Sequence, residues 1–167
     1  SCLGHNITFQ GMFGHPRMLV TEAAQRLCQA VIANKNPNKV RYVLMNTVGN
    51  QNRDLREKIA FGEKLVTGLM RVLLPPQRDN EHAADYLRTE IGQDHPVLEW
   101  AAVRPDSLID ADAVSEYSLH PSPLQSAIFG AGTTSRINVA HFMAALISDD
   151  AIWEQWKGQM PVIYNEI

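Results

Sequence analysis

The chain has 167 residues, 45% of them hydrophobic and 20% charged, with a formal net charge of −3. That is one domain's length, enough for a substantial core, and the composition excludes global disorder. A slightly acidic chain gives no reason to expect nucleic acid or an anionic membrane as partner, and no apolar run nears the ~20 residues that cross a bilayer.

Ser1, Cys2 and Leu3 read as the tail of a strand, and Gly4, His5 and Asn6 as the loop that leaves it. No signal-peptide pattern opens the chain, and its start at Ser rather than Met hints at a missing upstream part. Gly11, Phe13 and Gly14 continue irregularly, too weak a pattern for a phosphate loop. His15-Pro16 then opens a helix, Pro16 sitting in the first turn where its missing N–H costs nothing. Leu19, Ala23, Leu27 and Val31, with Ala24 and Cys28, supply its apolar face. Pro37 lies in the stretch that ends it. Cys2 and Cys28 stand in no metal or redox spacing. That fits a cytoplasmic or other reducing compartment, with each thiol a buried small hydrophobe.

Residues 40–46, VRYVLMN, read as a buried strand that delivers Asn46 and Thr47 at its carboxyl end. Residues 54–74 read as a long helix with Leu55, Ile59, Val66, Leu69, Met70 and Leu73 on one side, stopped by Pro75-Pro76. Gly62 and Gly68 inside it each cost about 1 kcal/mol relative to Ala. Residues 78–91 form another helix, with Asp79 or Asn80 as N-cap and Gly92 past its end. His82, in its first turn, reads as a solvated histidine.

The stretch VLEWAAVRPDSLID, residues 97–110, organises the rest. Its nearly unbroken apolar run suits a strand covered on both faces, as in a parallel sheet. Pro105 ends the ladder for want of an N–H. Arg104, Pro105 and Asp106 therefore arrive together at a strand end. Beyond it, residues 111–117 read as a short helix, 120–123 as a rigid connection, 125–129 as a short strand and 130–134 as a turn. Asn138 can cap a helix through Ile147 with Val139, Phe142, Met143 and Leu146 inward. Trp153 and Trp156 seal the core from a last helix, and residues 161–164 make a final strand.

This alternation predicts an α/β fold, a mostly parallel sheet with helices on both faces. Open sheets of this kind bind ligands beyond the carboxyl ends of their strands, which puts Asn46, Thr47 and Arg104 on one rim. Each has a plainer alternative: a loop-capping Asn-Thr pair, and an Arg-Pro turn held by a salt bridge.

LMNTVG, VRPDSLID and SRINVAHFMAALI, in this order and spacing, resemble the atypical short-chain dehydrogenase/reductase group, the NmrA-like NAD(P)-binding Rossmann proteins. The resemblance covers nearly all of the chain but only the second half of the family's domain. It implies that residues 1–167 are a single C-terminal portion of an NAD(P)-binding Rossmann-like domain. By position, Leu3, Gly4 and His5 match the loop near the cofactor's adenosine side and ribose. Thr47, after Asn46, matches the Ser/Thr of the family's catalytic set. Arg104, Pro105 and Asp106 match the segment beside the nicotinamide. Asn138 stands where Asp is usual, keeping its capping role.

Two departures matter. No glycine-rich GxxGxxG stretch is present, so the N-terminal βα unit that meets the pyrophosphate falls outside this chain. The expected consequences are poor dinucleotide binding by the chain alone and self-association through an exposed N-terminal sheet edge. The family's Tyr-x-x-x-Lys is also absent: the register puts Pro76 at the tyrosine and Asn80 at the lysine. Two functional readings follow. One is an NAD(P)-dependent oxidoreductase, in a longer parent, with another proton donor. The other is a non-catalytic NAD(P)-binding sensor or assembly scaffold. Apart from both stands a plainer option, an α/β domain unrelated to nucleotides.

Overall fold

The computed structural model describes residues 1–6, 8–34, 37–55, 57, 66, 68–69, 73–126 and 130–166. In chain order the elements are α1 (Phe9–Phe13), α2 (Leu19–Ala33), β1 (Val40–Met45), α3 (Pro75–Tyr86) continued by a π-helical turn (Leu87–Ile91), β2 (Leu98–Pro105), β3 (Ser107–Ile109), β4 (Tyr117–His120), β5 (Thr133–Ser135), α4 (Arg136–Ser148), α5 (Asp150–Trp156) and β6 (Val162–Asn165).

The main sheet has the order β1-β2-β6-β4. β1, β2 and β6 are parallel, and β4 runs antiparallel to β6. β1 and β2 pair in register from Val40 opposite Leu98 to Met45 opposite Val103. Ser1 extends the ladder on the far side of β1: its carbonyl accepts from the Met45 N–H at 2.9 Å, and its amino group meets Val43 O. β3 and β5 form a separate parallel pair.

Period-two alternation divides the sheet's side chains between two cores. Leu44, Leu98, Trp100 and Ala102 face α2 and α3, packing with Val20, Cys28, Ala83 and Leu87. Val43, Ala101 and Val103 face the other way, onto Phe142, Leu146, Trp153 and Trp156 of α4 and α5. The predicted layers, and the role of both tryptophans, are present.

Several local expectations are corrected. α1, capped by Thr8 accepting from the Gly11 N–H, lies where an irregular stretch was expected. α2 starts at Leu19 rather than Pro16, and it buries Val20, Thr21, Ala24 and Cys28 while Leu27 is 49% exposed. Cys2 is exposed. Cys28 is buried, which pushes its thiol up to about 11. Pro75-Pro76 follows the end of a helical stretch, Leu73 being helical and Leu74 extended, and it also opens α3, because the first-turn positions need no N–H. Asp79 and Asn80 consequently lie inside α3, not at its cap.

Most of the predicted helix at 54–74 lies outside the described residues. Of its described apolar positions, Leu55, Leu69 and Leu73 are exposed rather than inward. Residues 111–117 form no helix and lead instead into β4. Gln125 and Ser126 are not in a strand, and 127–129 fall outside the described residues. Thr133 and Thr134 belong to β5 rather than to a turn. Ser135 caps α4 by accepting from the Asn138 N–H, so Asn138 is not the cap. Asn138 is fully buried and donates to Ser115 and Asn165.

Candidate functional site

The carboxyl ends of β1 and β2 are fastened together by backbone and amide bonds. The Asn46 N–H donates to Val103 O at 2.7 Å, and the Val48 N–H donates to Pro105 O at 3.0 Å. Asn46 Oδ1 accepts from the Thr47 N–H at 2.8 Å and from the Asn50 amide at 3.2 Å. Both asparagine amides donate onward to Asn80 O of α3, at 3.0 and 3.2 Å. The turn carrying Thr47 is thus fixed to two strands and a helix, and Thr47 is half-buried at its head.

Gln77 reaches the same turn. Its amide nitrogen donates to Gly49 O and to Glu81 Oε1, both at 3.2 Å. A Cβ on Gly49 would lie 3.7 Å from the Gln77 amide and 3.8 Å from Thr47 Oγ1, so a side chain there would fill the gap between them. Thr47, Gln77 and buried Glu81 therefore converge beside the rim. Sequence reasoning missed Gln77 and Glu81. They follow Pro76 and Asn80 by one residue each and keep the four-residue spacing that puts side chains on one helix face. That spacing was the available signal.

Arg104 lies under the rim rather than on it. It is 0% exposed. Its five N–H groups are all engaged. Nε donates to Met160 O at 2.7 Å. Nη1 donates to Asn50 O at 2.9 Å and Glu57 Oε2 at 3.1 Å; Nη2 donates to Glu57 Oε1 at 2.7 Å and Pro121 O at 3.0 Å. Glu57 also accepts from the Asn52 N–H at 2.7 Å. This pair ties the loop after β1 to β2 and to the connection after β4. Glu57 was not singled out from the sequence, because it lay within a stretch read as helix.

Asp106 is buried and accepts from the Ser107 and Gly132 N–H groups, both at 2.8 Å. Burial pushes its carboxyl above the usual carboxylate range, against the opposing pull of these two donors. It pins the chain after β2 to the approach of β5.

At the chain start, Leu3 and Gly4 are exposed, and a Cβ on Gly4 would meet nothing within 4 Å. His5 is turned inward. Its Nε2 meets Asp79 Oδ2 at 2.8 Å and its Nδ1 meets Gly11 O at 3.0 Å. Asp79 is itself 0% exposed and accepts from the Val20 and Thr21 N–H groups, at 2.8 and 2.9 Å, and from the Thr21 hydroxyl at 2.7 Å. A carboxylate on α3 thereby caps α2.

Asn46 and Thr47 thus stand at the end of β1, Ser1 pairs along its outer side, and Arg104, Pro105 and Asp106 build what lies behind. Among the described residues no group of three or more His, Cys, Asp or Glu is placed to hold a metal ion. Among them, too, no helix is long and apolar enough to cross a membrane.

No protein-family model matches the sequence, and no curated protein matches it. Solved structures do. An oxidoreductase from Lactococcus lactis is 18% identical, with a TM-score of 0.57 over 92% of this chain and 58% of its own. A Rossmann-fold NAD(P)-binding family protein from Shigella flexneri is 21% identical, with a TM-score of 0.52 over 87% of this chain and 54% of its own. A short-chain dehydrogenase/reductase from Veillonella parvula, solved with NADP, is 13% identical, with a TM-score of 0.50 over 89% and 58%. The chain spans between half and two thirds of the length of each. Its fold is theirs: an α/β fold with a mostly parallel sheet and helices on both faces, matching that much of a Rossmann domain.

Proposed function

We propose that residues 1–167 are the C-terminal portion of an NAD(P)-binding protein of the short-chain dehydrogenase/reductase type, oxidoreductase-related in its longer parent. One observation carries the reading. The parallel strands β1 and β2 point their carboxyl ends the same way, β2 running two residues past the Met45–Val103 pair, with Asn46 and Thr47 directly after β1 and Ser1 paired along its other side, leading into the exposed Leu3 and Gly4. In such sheets a dinucleotide lies across the strand ends.

The residues present fit such a group. The open space at Gly4 leaves room for close approach, and the rim turn holds Thr47 firmly. In this proposal Leu3, Gly4 and His5 border the adenosine side, with His5 acting through its bonds to α1 and Asp79. Asn46 and Thr47 border the nicotinamide side, and Arg104, Pro105 and Asp106 form the floor that holds them. The bound cofactor would supply hydride chemistry. Thr47 would orient the reacting group through its hydroxyl.

Pro76 and Asn80 cannot do the work of the missing tyrosine and lysine, as Pro76 has no polar side chain and Asn80 no cationic one. That observation favours a second reading, a non-catalytic cofactor sensor or scaffold. In either case the partner is a dinucleotide, in a reducing compartment.

The test is thermal denaturation with NADPH and NADH, on this chain and on a chain extended through an upstream glycine-rich unit. Saturation at a hundred times Kd stabilises by about 2.7 kcal/mol, roughly 5–10 °C for a chain of this size. A shift in the extended chain supports the reading; none in either chain overturns it. NADPH consumption with a carbonyl compound then favours the oxidoreductase, and binding without consumption the sensor.

A further inference from the structure

Three sulfur-bearing side chains from distant parts of the chain meet at the outer edge of the main sheet. The Cys2 thiol donates to Met143 Sδ of α4 at 3.9 Å. Cys2 is exposed, whereas Met143 is 9% exposed and belongs to the core between the sheet and α4. Their contact therefore lies where that core reaches the surface.

Met45 joins them by register. The Ser1 amino group meets Val43 O, and the Ser1 carbonyl accepts from the Met45 N–H. That bonding sets Ser1 opposite Leu44 in a parallel ladder. The next pair along is Cys2 beside Met45, on the opposite face, with the two backbones about 4.8 Å apart. The two cores agree with this assignment. Leu44 packs with α2 and α3, whereas Met45 packs against the core that holds Met143.

One thiol and two thioethers are a chemically selective set. Both are soft donors, and such donors select Cu(I). Structural zinc sites take at least two thiolates, completed by further thiolates or imidazoles, and this trio offers one. With metal–sulfur bonds of about 2.3 Å, two sulfurs 3.9 Å apart subtend about 116° at the metal, close to the ~120° of three-coordination.

We propose that Cys2, Met45 and Met143 form a three-sulfur site for one Cu(I) ion. On binding, the Cys2 thiol releases its proton to solvent and the thiolate becomes the anionic ligand. The two thioethers complete the site as neutral donors, and the copper keeps its oxidation state. The ion ties the N-terminal segment to β1 and α4, one residue before exposed Leu3 and Gly4. The site uses none of the residues assigned to the dinucleotide and stands whether or not one binds.

The test titrates the chain, without oxygen and with ascorbate present, into the coloured bicinchoninate complex of Cu(I). Loss of colour to one equivalent per chain is expected, with Zn(II) unable to displace the ion. Cu(I) is diamagnetic, so methionine methyl NMR reads the same samples. The Met45 and Met143 methyl resonances should move while those of Met12, Met18 and Met160 stay still. Cys2→Ser should weaken Cu(I) by about a hundredfold and Met45→Leu or Met143→Leu by about tenfold, no less than the loss of an outer-shell partner costs a metal site. Cys2 is exposed and leucine conserves the volume of methionine, so these variants keep the fold. Met160→Leu, in the other core, should leave the affinity unchanged. Four results overturn the proposal. They are no competition with bicinchoninate, displacement by Zn(II), affinity unchanged in either leucine variant at the site, or half an equivalent per chain, which would mean a thiolate bridge between two copies.

Discussion

Replacing Arg104 by methionine removes a cation while keeping much of its apolar stem. Glu57 would then be a carboxylate left without its guanidinium in a site where its side chain is 6% exposed. Breaking a buried pair from one side costs about 3–5 kcal/mol. Three backbone carbonyls, of Asn50, Met160 and Pro121, lose a donor as well. At roughly 2–4 °C per kcal/mol for a domain of this size, Tm should fall by about 6–20 °C. Glu57→Leu should cost a similar amount, since it strands the arginine. The double variant Arg104→Met/Glu57→Leu should be much better than the sum of the singles, because no charge is left unpaired, with about 1–3 kcal/mol still lost per stranded buried group. Urea unfolding of the four proteins measures the coupling directly. Additivity within ~0.5 kcal/mol, or a cost below ~1 kcal/mol for Arg104→Met, would refute the argument. Cofactor affinity in an extended chain separates structure from contact. A loss of affinity with stability intact would place Arg104 on the cofactor itself.

Asp79→Ala takes the cap from α2 and unpairs buried donors at Val20 and Thr21, so denaturant unfolding should show a loss of about 2–4 kcal/mol; a loss under ~1 kcal/mol would contradict the shared cap. Gly92 has φ 70° and open space about its Cβ position, so Gly92→Ala should cost about 1–2 kcal/mol from backbone strain alone, and a neutral result would refute it. Burial raises Glu99, but the Trp153 N–H, Lys39 and Lys157 together bring it below its ordinary value of 4.5. Its folded pKa is depressed, so the stability it contributes is present above pH 4.5 and is lost as pH falls through the folded value. Trp153→Phe, which deletes the 2.7 Å bond to Glu99, should move that acid limb upward in pH-dependent unfolding; an unmoved limb would count against the bond.

The strands could be read because their signal is local. β1 and β2 are apolar on both faces, and that pattern points to parallel neighbours and two helical layers without any knowledge of the partners. The registers of the helices could not be read in this way. α2 turns Val20 rather than Leu27 inward, and its N-terminus is held by Asp79, a residue far along the chain on another helix. Pro75-Pro76 marks both the end of one helical stretch and the beginning of α3, and the sequence reading took only the first. At the site, Asn46 and Thr47 stand where the strand end put them. Arg104 was legible as a buried-strand terminus but not as an inward one, because its acceptors are three backbone carbonyls and a glutamate from three separate stretches of the chain. Gln77 and Glu81 stayed hidden behind an N-cap reading that placed the start of α3 too late.

The central claim is that a dinucleotide lies across the ends of β1 and its neighbours. Amide NMR of the extended chain, titrated with NADPH, tests it most directly. The account predicts saturable shifts concentrated at Leu3, Gly4, His5, Asn46, Thr47 and Gly49, with α5 and the amino ends of the strands unmoved. Shifts absent from that rim, or gathered at the opposite end of the sheet, would contradict it.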